Sequence, residues 1–405
     1  MSAESLAARV RCTEGQLYTM VISLTATTAL VVLGGVPLGS TTRTSAAPLT
    51  AAPSAAPSPA PPVVVAPSPV PSYLPGPSAL PLPAPVVMGE PTPTAVQLPP
   101  PPASPRVTFH VPAPGAPRAL VADSTSLYAG TDNSSGASQL VVLPLSGEPG
   151  REVAIDGQPA QRSTGGLSAA ALRGSSVLLT DRSRGVLIEV DPRSGSQRVL
   201  ATLPDLPPCV VGVTGTCQAG VQDLAPSPEG LVVQGAYAYV ADAAQGTIWR
   251  YAFATRQLSA WYATGDFPPG DGPSGLALDG SRNLVFTAAQ TSDPNALLKG
   301  AVYQLAVAAD GSAGARTLLA TFDSGGPGPV AVGRTGNVYV GLRTGGVSVV
   351  HRDGTVSVLA PASRVPAPGG LCLVDGTLFV ADGGRPATST SGRVLALPVA
   401  DAEAV

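Results

Sequence analysis

Lysine occurs once in the 405 residues, at Lys299, and histidine twice, at His110 and His351. Charged residues amount to 12% and aromatic residues to 4%, with a formal net charge of -3. Such a chain carries no basic field to attract a polyanion, which argues against nucleic acid as a partner. Neither histidine has a partner at metal-ligand spacing, so a His-Glu-x-x-His helix is excluded, and no G-x-S-x-G nucleophile elbow is present. Cysteine is scarce too, at positions 12, 209, 217 and 372. That count leaves no second close pair of the kind a structural zinc site uses.

Turn formers are what the chain has in abundance: 46 glycines and 45 prolines. Few charges and many turn residues predict an all-β chain of short strands. The N-terminal part reads differently. Residues 17–39 form one apolar run without charge, preceded by Arg9 and Arg11. A run of this length suits a signal peptide or an uncleaved membrane anchor, and arginines ahead of it place the rest of the chain outside the cytoplasm. Nearly half of the prolines lie between residues 40 and 105, in stretches such as "APSAAPSPAPPVVVAPSPVPSYLPGPSALPLPAP". This composition favours an extended, semi-rigid spacer over a packed core. The expected division is therefore an apolar helix, as signal or anchor, over 1–40, a Pro/Ala/Ser-rich disordered linker over 41–105, and a folded domain over 106–405.

Within that domain one unit recurs. "AYVADAAQGTIWRYAFATRQLSAWYA", from Ala238, alternates apolar and polar residues in three segments broken by short turns. Similar stretches begin near Ser126, Ser176, Asn283, Asn337 and Thr377. Each is preceded by a short apolar segment with Gly or Pro at its start: "PRALVA", "GGLSAAAL", "PEGLVV", "PSGLAL", "GPVAVG", "GGLCLV". Tyr128, Leu178, Tyr239, Val285, Tyr339 and Phe379 align, at spacings from 40 (Tyr339 to Phe379) to 61 (Leu178 to Tyr239). Four antiparallel segments repeated six times, with insertions confined to loops, predict a six-bladed β-propeller. The sixth copy lacks an outer strand, whereas "RVTFHV" at 106–111 has the character of one and has no other place. It is expected to act as an N-terminal latch that completes the last blade and leaves no long edge unpaired.

"AYVADAAQGTIWRY" followed by "GPSGLALDGSRNLVFT" resembles the senescence marker protein/gluconolactonase/luciferin-regenerating-enzyme-like family, with strictosidine synthase-like and NHL-type propellers as neighbours. The likeness is clearest over 206–405. It implies a divalent metal, Ca²⁺ or Zn²⁺, at the top of the central channel, held by a Glu of the first blade and by an Asn and an Asp ahead of two inner segments. Here the first blade reads "APRALVA" without a Glu, Ser274 stands at the Asn position and Gly369 at the Asp position. Glu229, in "SPEGLVV", is the acid left in the channel-facing slot. It becomes the candidate catalytic base and metal ligand.

Asp242 and Asp382, which end "YVAD" and "FVAD" as Asp181 ends "LLTD", could join Glu229 at the rim as ligands or cap the turns they begin. Ser274, Gly369 and Asp271 are candidate pocket residues, with Asp266 in the same acidic loop as Asp271. Trp249 and Trp261 are expected to pack between blades. Cys209 and Cys217, eight apart in the longest loop, are expected to form a disulfide in an oxidising compartment, with zinc binding as the weaker reading. The expected function is binding of a small molecule or a protein partner at the channel face by an exported, envelope-associated monomer. The alternative is a metal-dependent lactonase, or another ester hydrolase, with a rearranged site around Glu229.

Overall fold

A computed structural model describes residues 105–111, 116–132, 138–157, 166–206, 225–263, 271–289, 298–383, 392–399 and 401. The apolar run, the proline-rich segment, Asp266, Cys209 and Cys217 lie outside the described residues. Among the described residues no helix is long and apolar enough to cross a membrane.

Among the described residues every element is a strand. β1 (Arg106–His110) comes first. The first blade holds β2 (Ala116–Ala122), β3 (Ser126–Asp132), β4 (Gln139–Pro144) and β5 (Arg151–Ala154). The second holds β6 (Leu167–Arg173), β7 (Ser176–Asp181), β8 (Val186–Val190) and β9 (Gln197–Thr202). The third holds β10 (Pro228–Gln234), β11 (Tyr237–Asp242), β12 (Thr247–Ala252) and β13 (Gln257–Ala263). The fourth holds β14 (Pro273–Leu278), β15 (Leu284–Ala289), β16 (Gly300–Val307) and β17 (Ala313–Phe322). The fifth holds β18 (Pro327–Val332), β19 (Val338–Leu342), β20 (Val347–Val350) and β21 (Val356–Ala360). The sixth runs β22 (Pro368–Val374), β23 (Thr377–Asp382) and β24 (Arg393–Pro398), and its fourth strand is β1, antiparallel to β24.

The inner strands β2, β6, β10, β14, β18 and β22 each pack on the next, and β22 packs on β2, so the six sheets close into a ring. Between neighbouring blades lies one apolar cluster, six in all. Strand alternation feeds them, because successive side chains leave a strand on opposite faces. Tyr239 and Ala241 of β11 enter the cluster shared with the fourth blade, whereas Ala238 and Val240 enter the one shared with the second. A strand covered on both faces reads as a nearly continuous apolar run, which is why "YAYVAD" is so apolar. The outer strands are less covered, and β13 leaves Gln257, Ser259, Ala260 and Ala263 exposed with Leu258, Trp261 and Tyr262 half-buried. The hairpin joining β22 to β23 turns at Asp375 and Gly376, both at positive φ (44° and 74°), the turn that suits the twist of a two-residue hairpin.

Trp249 packs in the cluster between the second and third blades. Trp261 packs edge-on to Tyr239, ring centroids 4.8 Å apart, and donates its indole N–H to the Gly311 carbonyl.

Candidate functional site at the channel mouth

All six inner strands carry the same irregularity near their first residues. The register slips between Pro117 and Ala119, Leu167 and Ala169, Pro228 and Gly230, Pro273 and Leu276, Pro327 and Val330, and Pro368 and Gly370. Each slip inserts one extra residue in the inner strand, a β-bulge that re-aims a side chain. Around the ring the bulges hold Arg118, Ser168, Glu229, Ser274, Gly328 and Gly369.

Glu229 of the third blade is engaged on both carboxylate oxygens. Oε2 accepts from Arg343 at 2.9 Å, and Oε1 lies 3.4 Å from Arg182. Arg182 follows β7 in the second blade and Arg343 follows β19 in the fifth. A bond from the third blade to the fifth passes over the fourth, so it spans the end of the central channel. Burial acts to raise the Glu229 pKa, but the Arg343 guanidinium first, then Arg182 and Arg118, outweigh it and hold the carboxyl below its ordinary value. Arg118 itself pairs through Nε with Asp132 at 2.8 Å.

The two serines of the ring are turned to structural use. Ser168 donates to the Pro228 carbonyl at 2.6 Å and lies 2.9 Å from the Thr180 hydroxyl. Ser274, 2% exposed, lies 3.0 Å from the Thr287 hydroxyl, which donates to the Gly328 carbonyl at 2.6 Å. Both pairs thus tie one blade's bulge to the next. Gly369 sits against Arg118, whose Cα would be 2.7 Å from an added Cβ. Asp271 is buried directly ahead of β14.

The aspartates that end the second strands serve the blades that carry them. Asp181 accepts from the Ser183 amide and hydroxyl and from Arg184. Asp242 accepts from the Ser227 and Gln245 amides, the Gln245 side chain and the Trp249 indole. Asp382 accepts from the Ala367 amide and from Arg393. In the third and sixth blades the carboxylate therefore bridges the residue ahead of the inner strand to the end of the second strand.

Glu229 stands out in the sequence as a candidate, whereas Arg118, Arg182 and Arg343, which the structure brings to it, do not. Arg182 and Arg343 each stand one residue past the end of a second strand, in "LLTDR" and "VYVGLR". That shared offset was the available signal.

The ring has the fold of two solved propellers. One, at a TM-score of 0.50 and 15% identity, is an X-ray structure of a provisionally assigned gluconolactonase, matched over 74% of this chain and 94% of that one. The other is a luciferin-regenerating enzyme, at a TM-score of 0.52 and 10% identity, over 74% of this chain and 97% of that one. Identities this low speak for the fold alone. No family model and no curated protein sequence matches the chain.

The divalent metal implied by the gluconolactonase resemblance does not fit these residues. A hard cation asks for about six or more oxygens, several of them carboxylate. The ring supplies one carboxylate, already between two guanidiniums, and two hydroxyls committed to neighbouring strands. Among the described residues no three His, Cys, Asp or Glu side chains come together in a way that could hold a metal ion.

Proposed function

We propose that this chain is a binding propeller that receives a small molecule at the mouth of its channel and performs no metal-dependent hydrolysis there. The observation that carries this reading is Glu229: the acid in the ring is held by Arg343 and Arg182 and is not available as a metal ligand or base. A guanidinium beside each oxygen would also oppose a cation at the same place. In the same reading the domain is exported and works as a monomer. Residues 1–40 serve as signal or anchor at the outer face of the cytoplasmic membrane, 41–105 as a spacer, Cys209 and Cys217 as a disulfide, and β1 as the latch of the sixth blade.

The test is a melting curve of the full chain with Ca²⁺, Mn²⁺ or Zn²⁺ against chelator, together with hydrolysis of small lactones. The expected outcome is an unchanged midpoint and hydrolysis at the background rate. A native-state metal site would instead raise the midpoint by mass action. A rise that vanishes in Glu229→Ala would replace this reading with the metal-dependent lactonase.

A further inference from the structure

We infer that the channel mouth is an anion site, and that the small molecule it takes carries a carboxylate or phosphate group. This rests on the binding reading above and narrows it to a ligand class.

Charge comes first. Three guanidiniums, Arg118, Arg182 and Arg343, meet two carboxylates, Glu229 and Asp132, leaving one positive charge in excess. This happens in a chain whose net charge is -3, so the basic spot is local.

Donors come second. A guanidinium carries more N–H groups than one carboxylate oxygen can accept, in a fork that matches an oxyanion. Arg182 reaches Glu229 through Nη2, while its Nε is buried with no hydrogen-bond partner. An orphaned buried donor on a charged group is costly, so the hydrogen bonding of this guanidinium is incomplete where it stands.

Space comes third. Blade five places Gly328 at the bulge, so no bulge side chain fills that sector of the ring, whereas the place beside Gly369 is taken by Arg118. A Cβ on Gly328 would meet nothing nearer than the Gly341 carbonyl oxygen at 3.4 Å, with Arg343 Cγ at 3.8 Å. This open sector is flanked by Arg343 on the fifth blade and Arg118 on the first. Glu229 then acts as a resident counter-ion that an incoming oxyanion partly displaces from Arg343 and Arg182.

The full chain is titrated calorimetrically, at constant ionic strength, with inorganic phosphate, gluconate and uncharged glucose. Phosphate or gluconate is expected to bind, the stronger of the two identifying the head group, with glucose at least tenfold weaker. Arg343→Gln and Arg182→Gln are each expected to weaken anion binding about tenfold or more, the value of one charged hydrogen bond. Glu229→Gln, which removes the competing carboxylate, is expected to tighten it about tenfold, a gain that misfolding cannot produce. Glucose binding as well as either anion, or anion affinity unchanged in both arginine variants, overturns the anion class and leaves the binding reading intact. Absence of binding by all three probes overturns both.

Discussion

At the scale of a residue, the state of Glu229 sets a pH dependence with a definite sign. Its folded pKa lies below the ordinary 4.5 because Arg343 and Arg182 outweigh its burial. The ionised form is therefore favoured by folding. The stability it contributes is complete above pH 4.5 and is lost as pH falls through the folded value. The Glu side chain is 15% exposed and its partners 24% and 32%, so the pair is neither fully buried nor a surface bridge. Glu229→Gln is expected to lower stability at pH 7 by about 1–3 kcal/mol, since it leaves the arginines facing one another. Urea denaturation at pH 7 and again at a pH below the folded value checks it: the two proteins should differ at the first and converge at the second. A gap of equal size at both would mean that the residue works through packing. Glu229 was legible because its motif is local. Arg343, 114 positions away, was not, because nothing in a linear reading announces a partner brought together by ring closure.

At the scale of an element, the bulged inner strands explain the glycines of "PEGLVV" and "PSGLAL". A Cβ at Gly230 would collide with the Ser274 carbonyl oxygen, and one at Gly275 with the Gly328 carbonyl oxygen. These glycines let successive inner strands approach backbone to backbone. Gly230→Ala and Gly275→Ala are each expected to cost about 1–3 kcal/mol, because the atom in the way is main chain and cannot rotate aside. Gly328→Ala, whose added atom meets only ordinary contacts, is expected to stay within about 0.5 kcal/mol of the parent. Chemical denaturation of the three variants separates them, and equal losses would remove close approach as the reason for the motif. The motif was visible in the sequence as a recurrent pattern. Its cause was not, because the crowding atom belongs to the following blade.

At the scale of the whole molecule, the six aligned positions of the repeat each reach a different interface. Tyr128 enters the cluster between the first and second blades, Leu178 the next, then Tyr239, Val285 and Tyr339, and Phe379 enters the one between the sixth and the first. That was legible because one blade obeys local rules of alternation and turn chemistry, and six near-copies repeat them. What the repeat leaves undetermined is which strand pairs with β24, since β1 lies outside the six copies. Here the last cluster gathers Phe379 and Val394 from the sixth blade with Leu120, Leu127 and Val141 from the first. Val111, fully buried just after β1, joins it and donates its amide to the Gly392 carbonyl at 2.8 Å, while Phe109 packs from the side. Without β1, the ladder groups of β24 that face it would be unpaired, a template for another chain. Deleting residues 106–111 from the full chain is therefore expected to lower stability by about 2–4 kcal/mol, from the lost burial of Val111 and Phe109. It should also produce association that grows with concentration. Denaturation together with size-exclusion chromatography over a concentration series tests both parts. A deleted chain that stays monomeric with an unchanged midpoint would place the closure of the ring in the packing of β22 on β2 alone.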